Sequence, residues 1–179
     1  SRNCQNYSEM KRFGTLLATP PPSEQKALVN HYVKAIDAGE SASRSSAKKA
    51  YREHCSVCHE KQVDASGRSM DAIGPPLTNL KHWSTLQWVT AVLDPSANVE
   101  AEYKQYKVLS KSGQVFSGVV VEQGDHHVQL GLADSKRIRI PRSDIERMEA
   151  SGASMMPQGF ESKVTPQQLS GIILWQRQQ

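Results

Sequence analysis

A run of five residues carries the most specific chemistry in the sequence. It reads C-x-x-C-H, with cysteines at positions 55 and 58 and a histidine at position 59. Two thiols at this spacing can each add to a vinyl group of haem, and the adjacent histidine can then ligate the iron. We therefore predict one covalently attached c-type haem per chain, with Cys55 and Cys58 as attachment sites and His59 as an iron ligand.

Two other uses of the cysteine pair are a redox dithiol and half of a zinc site. A redox dithiol is expected after a strand, whereas residues 47–53 read as a helix that runs into Cys55. A structural zinc site needs four ligands, and the only other cysteine in the sequence is Cys4, far upstream. Both alternatives are therefore disfavoured.

A pair of methionines near the C-terminus offers a second iron ligand. Met155 and Met156 lie in a loop, Ser154–Gly159, that contains proline and ends in glycine, and a helical pattern follows from Thr165. A thioether held on such a loop suits methionine ligation of haem iron, which raises the reduction potential. The alternative is that the two side chains fill gaps in a core.

A proline-rich turn, Ile73–Leu77, lies between these segments. Pro75 and Pro76 fix φ and lack N–H donors, so the turn leaves backbone carbonyls free. A ligating histidine usually donates its second ring N–H to a carbonyl, which sets the tautomer and orientation of the ring. We predict that the carbonyl of Pro75 accepts this hydrogen bond from His59, with a simple turn as the alternative.

Further motifs follow C-x-x-C-H in order along the chain. They are G-P-x-L at Gly74–Leu77, D-P-S-A at Asp94–Ala97, Y-x-x-Y at Tyr103 and Tyr106, and S-x-M-P-x-G at Ser154–Gly159. In this order they resemble a class I cytochrome c. The resemblance is closest to the haem-binding cytochrome c domain that recurs in large proteins of planctomycetes and verrucomicrobia, and it covers residues 47–175.

The resemblance implies a fold and a ligand. The implied fold class is α+β, with a helical class I cytochrome c core and an inserted small antiparallel β-sheet or barrel. It also implies Met156 as the axial ligand opposite His59, with Met155 as a packing residue. The chain departs from the family pattern at Pro76, a second proline, and at Met155, where the family often has leucine.

Hydrophobic periodicity divides the chain into regions. We predict an N-terminal helical extension and linker over residues 1–46 and a cytochrome c domain over residues 47–179. The extension contains a weak helical pattern over residues 7–17 and a clearer one over Ser23–Ala38. Within the domain, Ser84 is a suitable N-cap for a helix through Leu93.

Between about residues 103 and 149 the apolar pattern changes to that of four or five short antiparallel strands with glycine turns. This β-rich insert could shield one haem face, position the methionine loop or dock a partner. His126 and His127, at a predicted hairpin turn, are alternative iron ligands, although exposed turn histidines are the simpler interpretation. Trp83 and Trp88 are candidates for packing at the haem edge or in the core.

Composition and charge limit the functional classes. The 179 residues have a mean hydropathy of -0.57 and no apolar run long enough to span a bilayer. The net charge of +4 is mild and its basic residues are scattered, so no nucleic-acid partner is expected. No signal peptide is present at Ser1, so we expect a processed chain or a piece of a longer one.

The haem motif also implies a compartment. Bacteria attach c-type haem on the outer side of the inner membrane, so we expect a periplasmic or cell-surface protein. In that oxidising setting Cys4 could pair with another chain, anchor a lipid or be incidental.

The leading functional prediction is electron transfer by a haem with His59 and Met156 as ligands, in a protein that is not itself an enzyme. The resemblance implies redox partners, namely a dehydrogenase-like donor and a periplasmic electron carrier. Two alternatives remain open at this point: a haem that binds a gas or peroxide as a sensor or catalyst, and an interaction module whose haem is structural.

Overall fold

The computed structural model describes residues 22–64 and 66–179. Cys4 and the helical pattern over residues 7–17 lie outside the described residues. The helices are α1 (Pro22–Asp37), α2 (Arg44–His54), α3 (Ser56–His59), α4 (Thr85–Leu93) and α5 (Pro166–Arg177). The strands are β1 (Gln62–Val63), β2 (Ser69–Met70), β3 (Lys104–Ser110), β4 (Val115–Gln123), β5 (His127–Gly131), β6 (Arg137–Pro141) and β7 (Ile145–Ser154).

The helices begin at strong N-terminal caps. The Ser84 hydroxyl accepts a hydrogen bond from the backbone N–H of Gln87, whose side chain accepts one from the Ser84 backbone, so α4 starts with a capping box. Thr165 and Gln168 form the same arrangement at α5. The predicted helix after Ser84 is confirmed, and so is the predicted helix over Ser23–Ala38, which α1 matches within one residue at each end.

The helices share one apolar core. Tyr32 of α1 donates a hydrogen bond to the carbonyl of Val164 over 2.7 Å, and a Cβ on Gly171 of α5 would lie 2.8 Å from the Cβ of Ala47 on α2. α1 therefore packs in the same core as α2, α4 and α5, while the predicted division of the chain at residue 46 stays a prediction. The buried residues of this helical core are Val29, Tyr32, Ala47, Ala50, Tyr51, Trp88, Val89, Leu93, Phe160, Val164, Leu169, Ile172 and Ile173.

The five longer strands form an antiparallel sheet in the order β6-β5-β4-β3-β7. The β3–β4 and β4–β5 turns contain glycines, and Gly113 in the first of them has a φ of 84° that favours glycine. The sheet has a buried core of its own, formed by Val108, Val128, Leu130 and Ile140. The predicted strands are confirmed, but the last one continues to Ser154, beyond the predicted limit of about residue 149.

The expected fold class, a helical class I cytochrome c core with a small β insert, is wrong. The described chain is mixed α and β, and its largest regular unit is the five-stranded sheet, beside few helices. Two physical causes account for the difference. The strands bury enough apolar side chains to form a second core. Between α3 and α4, the glycines and prolines around Gly74 and Pro75 leave only a two-residue hairpin and a 3-10 turn, Leu77–Leu80.

No helix in the described ranges combines the length and the apolar character needed to cross a membrane.

Candidate functional site

The cysteine motif lies at a break between two helices. α2 ends at His54, and the backbone N–H of Cys55 still donates to the carbonyl of Tyr51 over 2.8 Å. At Cys55 the chain turns, with φ of −120°, and enters the single turn α3. As a result Cys55, Cys58 and His59 line one cavity, whereas Val57 is 43 % exposed.

His59 is held by the proline turn that follows it. Its Nδ1 lies 2.7 Å from the carbonyl oxygen of Pro75, and the Gly74 N–H donates to the carbonyl of Cys58 over 2.9 Å. A carbonyl can only accept, so Nδ1 carries the proton and Nε2 keeps its lone pair. The predicted contact between His59 and Pro75 is present, and it gives the tautomer that iron ligation through Nε2 requires.

Gly74 allows the proline turn to lie close to the His59 ring. A Cβ on Gly74 would lie 2.9 Å from Cε1 and 3.1 Å from Nδ1 of the His59 ring. Contacts this short are almost never observed, so a larger residue would push the ring away. The G-P-x-L motif therefore has a steric reason for its glycine in this chain.

The surroundings keep the three motif side chains neutral. Burial lowers the pKa of His59, against the opposing effect of its hydrogen bond to Pro75. Burial also raises the pKa of Cys58, and burial together with the neighbouring Cys58 raises the pKa of Cys55 to about 12. A redox dithiol needs a lowered thiol pKa, so these shifts disfavour that alternative, whereas a neutral imidazole is the form that binds a metal.

The methionine loop reaches the same cavity from the end of the sheet. β7 ends at Ser154, whose backbone N–H donates to the hydroxyl of Ser96 over 3.1 Å, and the N–H of Met156 donates to the hydroxyl of Ser154 over 3.1 Å. Both Met155 and Met156 line the cavity, and Met156 also packs against the helical core. Met156 as the axial ligand stays a prediction.

The cavity is mainly apolar and opens in part to solvent. Trp83 and Trp88 line it, with their rings edge to face at 6.4 Å, and the indole N–H of Trp88 donates to the carbonyl of Leu80 over 3.1 Å. Trp88 is thus both a core residue and a wall of the cavity, while its packing at a haem edge stays a prediction. Val119 and Ala133 add a wall from the sheet.

The other histidines considered as ligands differ in where they lie relative to the cavity. His127 lies on β5 with Nε2 3.0 Å from a carboxylate oxygen of Glu122, and neither His126 nor His127 lines the cavity. His82 is exposed. His54 does line the cavity, beside Cys55.

Several residues at the site were missed by sequence reasoning. The hydroxyl of Ser96 anchors the methionine loop, and its place in the D-P-S-A motif was the signal that could have indicated it. Tyr103 lines the cavity beside Glu100, and burial, Glu102 and Glu100, in that order, raise the pKa of Tyr103. Ser135 contacts the cysteine motif across 78 residues of sequence, and no local pattern indicated this contact.

Within residues 22–64 and 66–179, no three histidine, cysteine, aspartate or glutamate side chains lie together in a way that could hold a metal ion. A haem iron with one histidine and one methionine ligand does not need such a group. No protein-family model matches the chain, and no curated protein matches it either.

Proposed function

We propose that this chain transfers single electrons through one c-type haem held in the cavity described above. The observation that carries the proposal is the convergence of Cys55, Cys58, His59 and the Met155–Met156 pair on one apolar cavity, although the methionines lie about a hundred residues downstream. The donor set has the composition that low-spin haem c uses: two thiols, one imidazole and one thioether.

Each motif residue has a distinct role in this proposal. Cys55 and Cys58 would form the two thioether bonds. His59 would ligate the iron through Nε2, oriented by the carbonyl of Pro75. Met156 would be the second iron ligand, with its backbone N–H tied to the hydroxyl of Ser154 and its side chain packed against the helical core.

The apolar lining supports transfer of electrons rather than turnover of a substrate. Haem iron bound there would supply one-electron chemistry between its ferric and ferrous states. Walls such as Trp88, Phe160 and Leu169 would limit the access of water to a haem bound there and lower the local dielectric, which would disfavour the more highly charged ferric state and raise the potential. Methionine ligation would act in the same direction.

The partners and location are further proposals. A one-electron carrier needs a donor and an acceptor, and from the resemblance to the cytochrome c domain we propose a dehydrogenase-like donor and a periplasmic electron carrier as acceptor. The periplasm or cell surface is where bacteria attach haem to C-x-x-C-H, so we propose that location for the mature chain.

Expression with and without the cytochrome c maturation machinery tests the attachment. With the machinery, the chain should gain the mass of one haem and show the absorption spectrum of a haem with two thioether bonds. Replacing both Cys55 and Cys58 with serine should abolish the covalent link. A colourless product with two alkylatable thiols at these positions would refute the proposal.

A pair of matched variants tests the axial ligand. Met156→Ala should remove the charge-transfer band that methionine ligation gives ferric haem and should lower the reduction potential, whereas Met155→Ala should leave both unchanged. The reverse result would assign Met155 as the ligand. A high-spin ferric spectrum and rapid carbon monoxide binding in the unmodified protein would favour a gas- or peroxide-binding haem instead.

A further inference from the structure

The single helical turn that carries the cysteine motif cannot be stable by itself. α3 has four residues, far fewer than an isolated helix needs. Its position therefore depends on where its backbone groups find partners in the rest of the chain. Partners are present for the four carbonyls of residues 55–58, one just before the turn and three within it.

Three of these four carbonyls accept hydrogen bonds from backbone N–H groups. The carbonyl of Cys55 accepts from the N–H groups of Cys58 and His59, at 3.1 and 3.0 Å. The carbonyl of Ser56 accepts from the N–H of Glu60 over 3.0 Å, and that of Cys58 accepts from the N–H of Gly74 over 2.9 Å. The fourth carbonyl, of Val57, accepts a hydrogen bond from the hydroxyl of Ser135, in the turn between β5 and β6, at a solvent-exposed position.

Ser135 lies in the turn between β5 and β6, in an unfavourable backbone conformation. Its φ is 61°, and among the described residues it is the one non-glycine residue with a positive φ. Glycine would adopt this conformation without strain, but glycine has no hydroxyl. Ser135 keeps this strained backbone conformation while its side chain contacts the cysteine motif. The combination indicates a functional constraint on Ser135.

Two further contacts join the same part of the sheet to the segment after the motif. The guanidinium of Arg137 donates to the carbonyl of Asp71. Gly131 packs so closely on Ile73 that a Cβ there would lie 2.5 Å from the Ile73 side chain. The β5–β6 end of the sheet therefore contacts the chain on both sides of His59, at Val57 and at residues 71–73.

The opposite edge of the sheet leads to the methionine loop. β7 pairs with β3, with Ser154 opposite Lys104, and the loop that carries Met155 and Met156 starts directly after it. The strands between the two edges share a buried core, so the sheet behaves as one body.

From these contacts we propose that the β5–β6 turn positions the C-x-x-C-H turn, with Ser135 as the positioning residue, so that one sheet places both segments that would ligate the iron. The effect on the iron rests on the proposed function. The contact between Ser135 and Val57 does not, and it can be tested without haem.

The test compares Ser135→Gly with the unmodified full-length chain, matured as for haem attachment. Glycine relieves the backbone strain and removes the Cβ of Ser135 together with its hydroxyl, and Ser135 belongs to neither buried core, so the urea midpoint should stay the same or rise. Loss of a hydrogen bond worth about 1 kcal/mol corresponds to about fivefold more local opening. Hydrogen exchange at the amides of Cys58, His59 and Glu60 should therefore become about fivefold faster.

The matched control is Lys136→Ala in the same turn. The Lys136 side chain is 79 % exposed and pairs with Asp134 at 2.7 Å, with no contact to the motif, so exchange at these amides should not change. In haem-loaded protein, the ferric electron paramagnetic resonance spectrum, which reports imidazole orientation, should shift for Ser135→Gly and not for Lys136→Ala.

Exchange rates at Cys58–Glu60 that match the unmodified chain would overturn the proposal, as would a uniform acceleration over the whole chain with a lower urea midpoint. An unchanged spectrum in haem-loaded Ser135→Gly protein would overturn it too. If the purified chain carries no haem, the proposed function fails, while the exchange comparison still decides whether Ser135 positions the motif.

Discussion

Replacing Gly74 with alanine is the sharpest probe of how His59 is held. The added methyl would lie 2.9 Å from Cε1 and 3.1 Å from Nδ1 of the His59 ring, and 3.4 Å from the carbonyl oxygen of Cys58. The ring cannot retreat freely, because its Nδ1 is tied to the carbonyl of Pro75 at 2.7 Å. Either the ring rotates and loses this hydrogen bond, or the proline turn moves.

The two outcomes should destabilise the folded protein by similar amounts. Overpacking by one methyl group costs about 1–3 kcal/mol, and loss of a hydrogen bond costs about 1 kcal/mol. We therefore expect Gly74→Ala to lower the free energy of unfolding by about 2 kcal/mol. For a chain of this size that corresponds to a fall in melting temperature of about 4–8 °C.

Urea unfolding of the purified protein measures the stability change, and the ferric spectrum reports the environment of His59. Gly124→Ala is a matched control, because a Cβ there would lie at an ordinary 3.4 Å from Cε1 of His127, also a histidine ring. It should change stability by much less than Gly74→Ala. Equal stability for Gly74→Ala and the unmodified chain, with an unaltered spectrum, would refute the steric account of this glycine.

Three other changes have defined outcomes. Tyr32→Phe leaves the carbonyl of Val164 without its partner and should cost about 1–2 kcal/mol in urea unfolding, whereas an unchanged midpoint would mean that α1 contributes little to the helical core. Leu130→Ala removes a fully buried side chain of the sheet and should cost about 2–5 kcal/mol, and a loss below 1 kcal/mol would contradict a packed sheet core. Hydrogen bonds from Ser66 and Arg68 lower the pKa of Asp64 below its ordinary 3.8. The ionised Asp64 side chain therefore stabilises the fold above pH 3.8, and this stabilisation is lost as the pH falls through the lowered pKa. The urea midpoints of Asp64→Asn and the unmodified chain should therefore differ at neutral pH and converge in acid, and a constant difference would contradict this.

Much of the site could be predicted from the sequence because its signals are local. The spacing of Cys55, Cys58 and His59 is a property of five consecutive residues, and the prolines of the following turn free the carbonyl that His59 uses. Helix caps such as Ser84 and Thr165 are local for the same reason, since their hydrogen bonds span three residues. The strands followed from an alternating apolar pattern and glycine turns.

The fold class could not be predicted in the same way. The family resemblance favoured a helical core, but whether a set of strands is an insert or a principal unit depends on how much apolar surface the strands bury among themselves. That burial joins Val108, Val128 and Ile140 from three strands, and no short stretch of sequence contains it.

The amino-acid sequence by itself determined which side chains are available for chemistry: two thiols and an imidazole at fixed spacing, and a methionine pair about a hundred residues later. Only the tertiary structure decided that these groups share one cavity, that Ser96 and Ser135 tie its two sides to the sheet, and that His126 and His127 lie elsewhere. The physical reason is the sequence distance over which each interaction acts. Spacing and capping act over a few residues, whereas a cavity forms only when separate elements bury their apolar faces against one another.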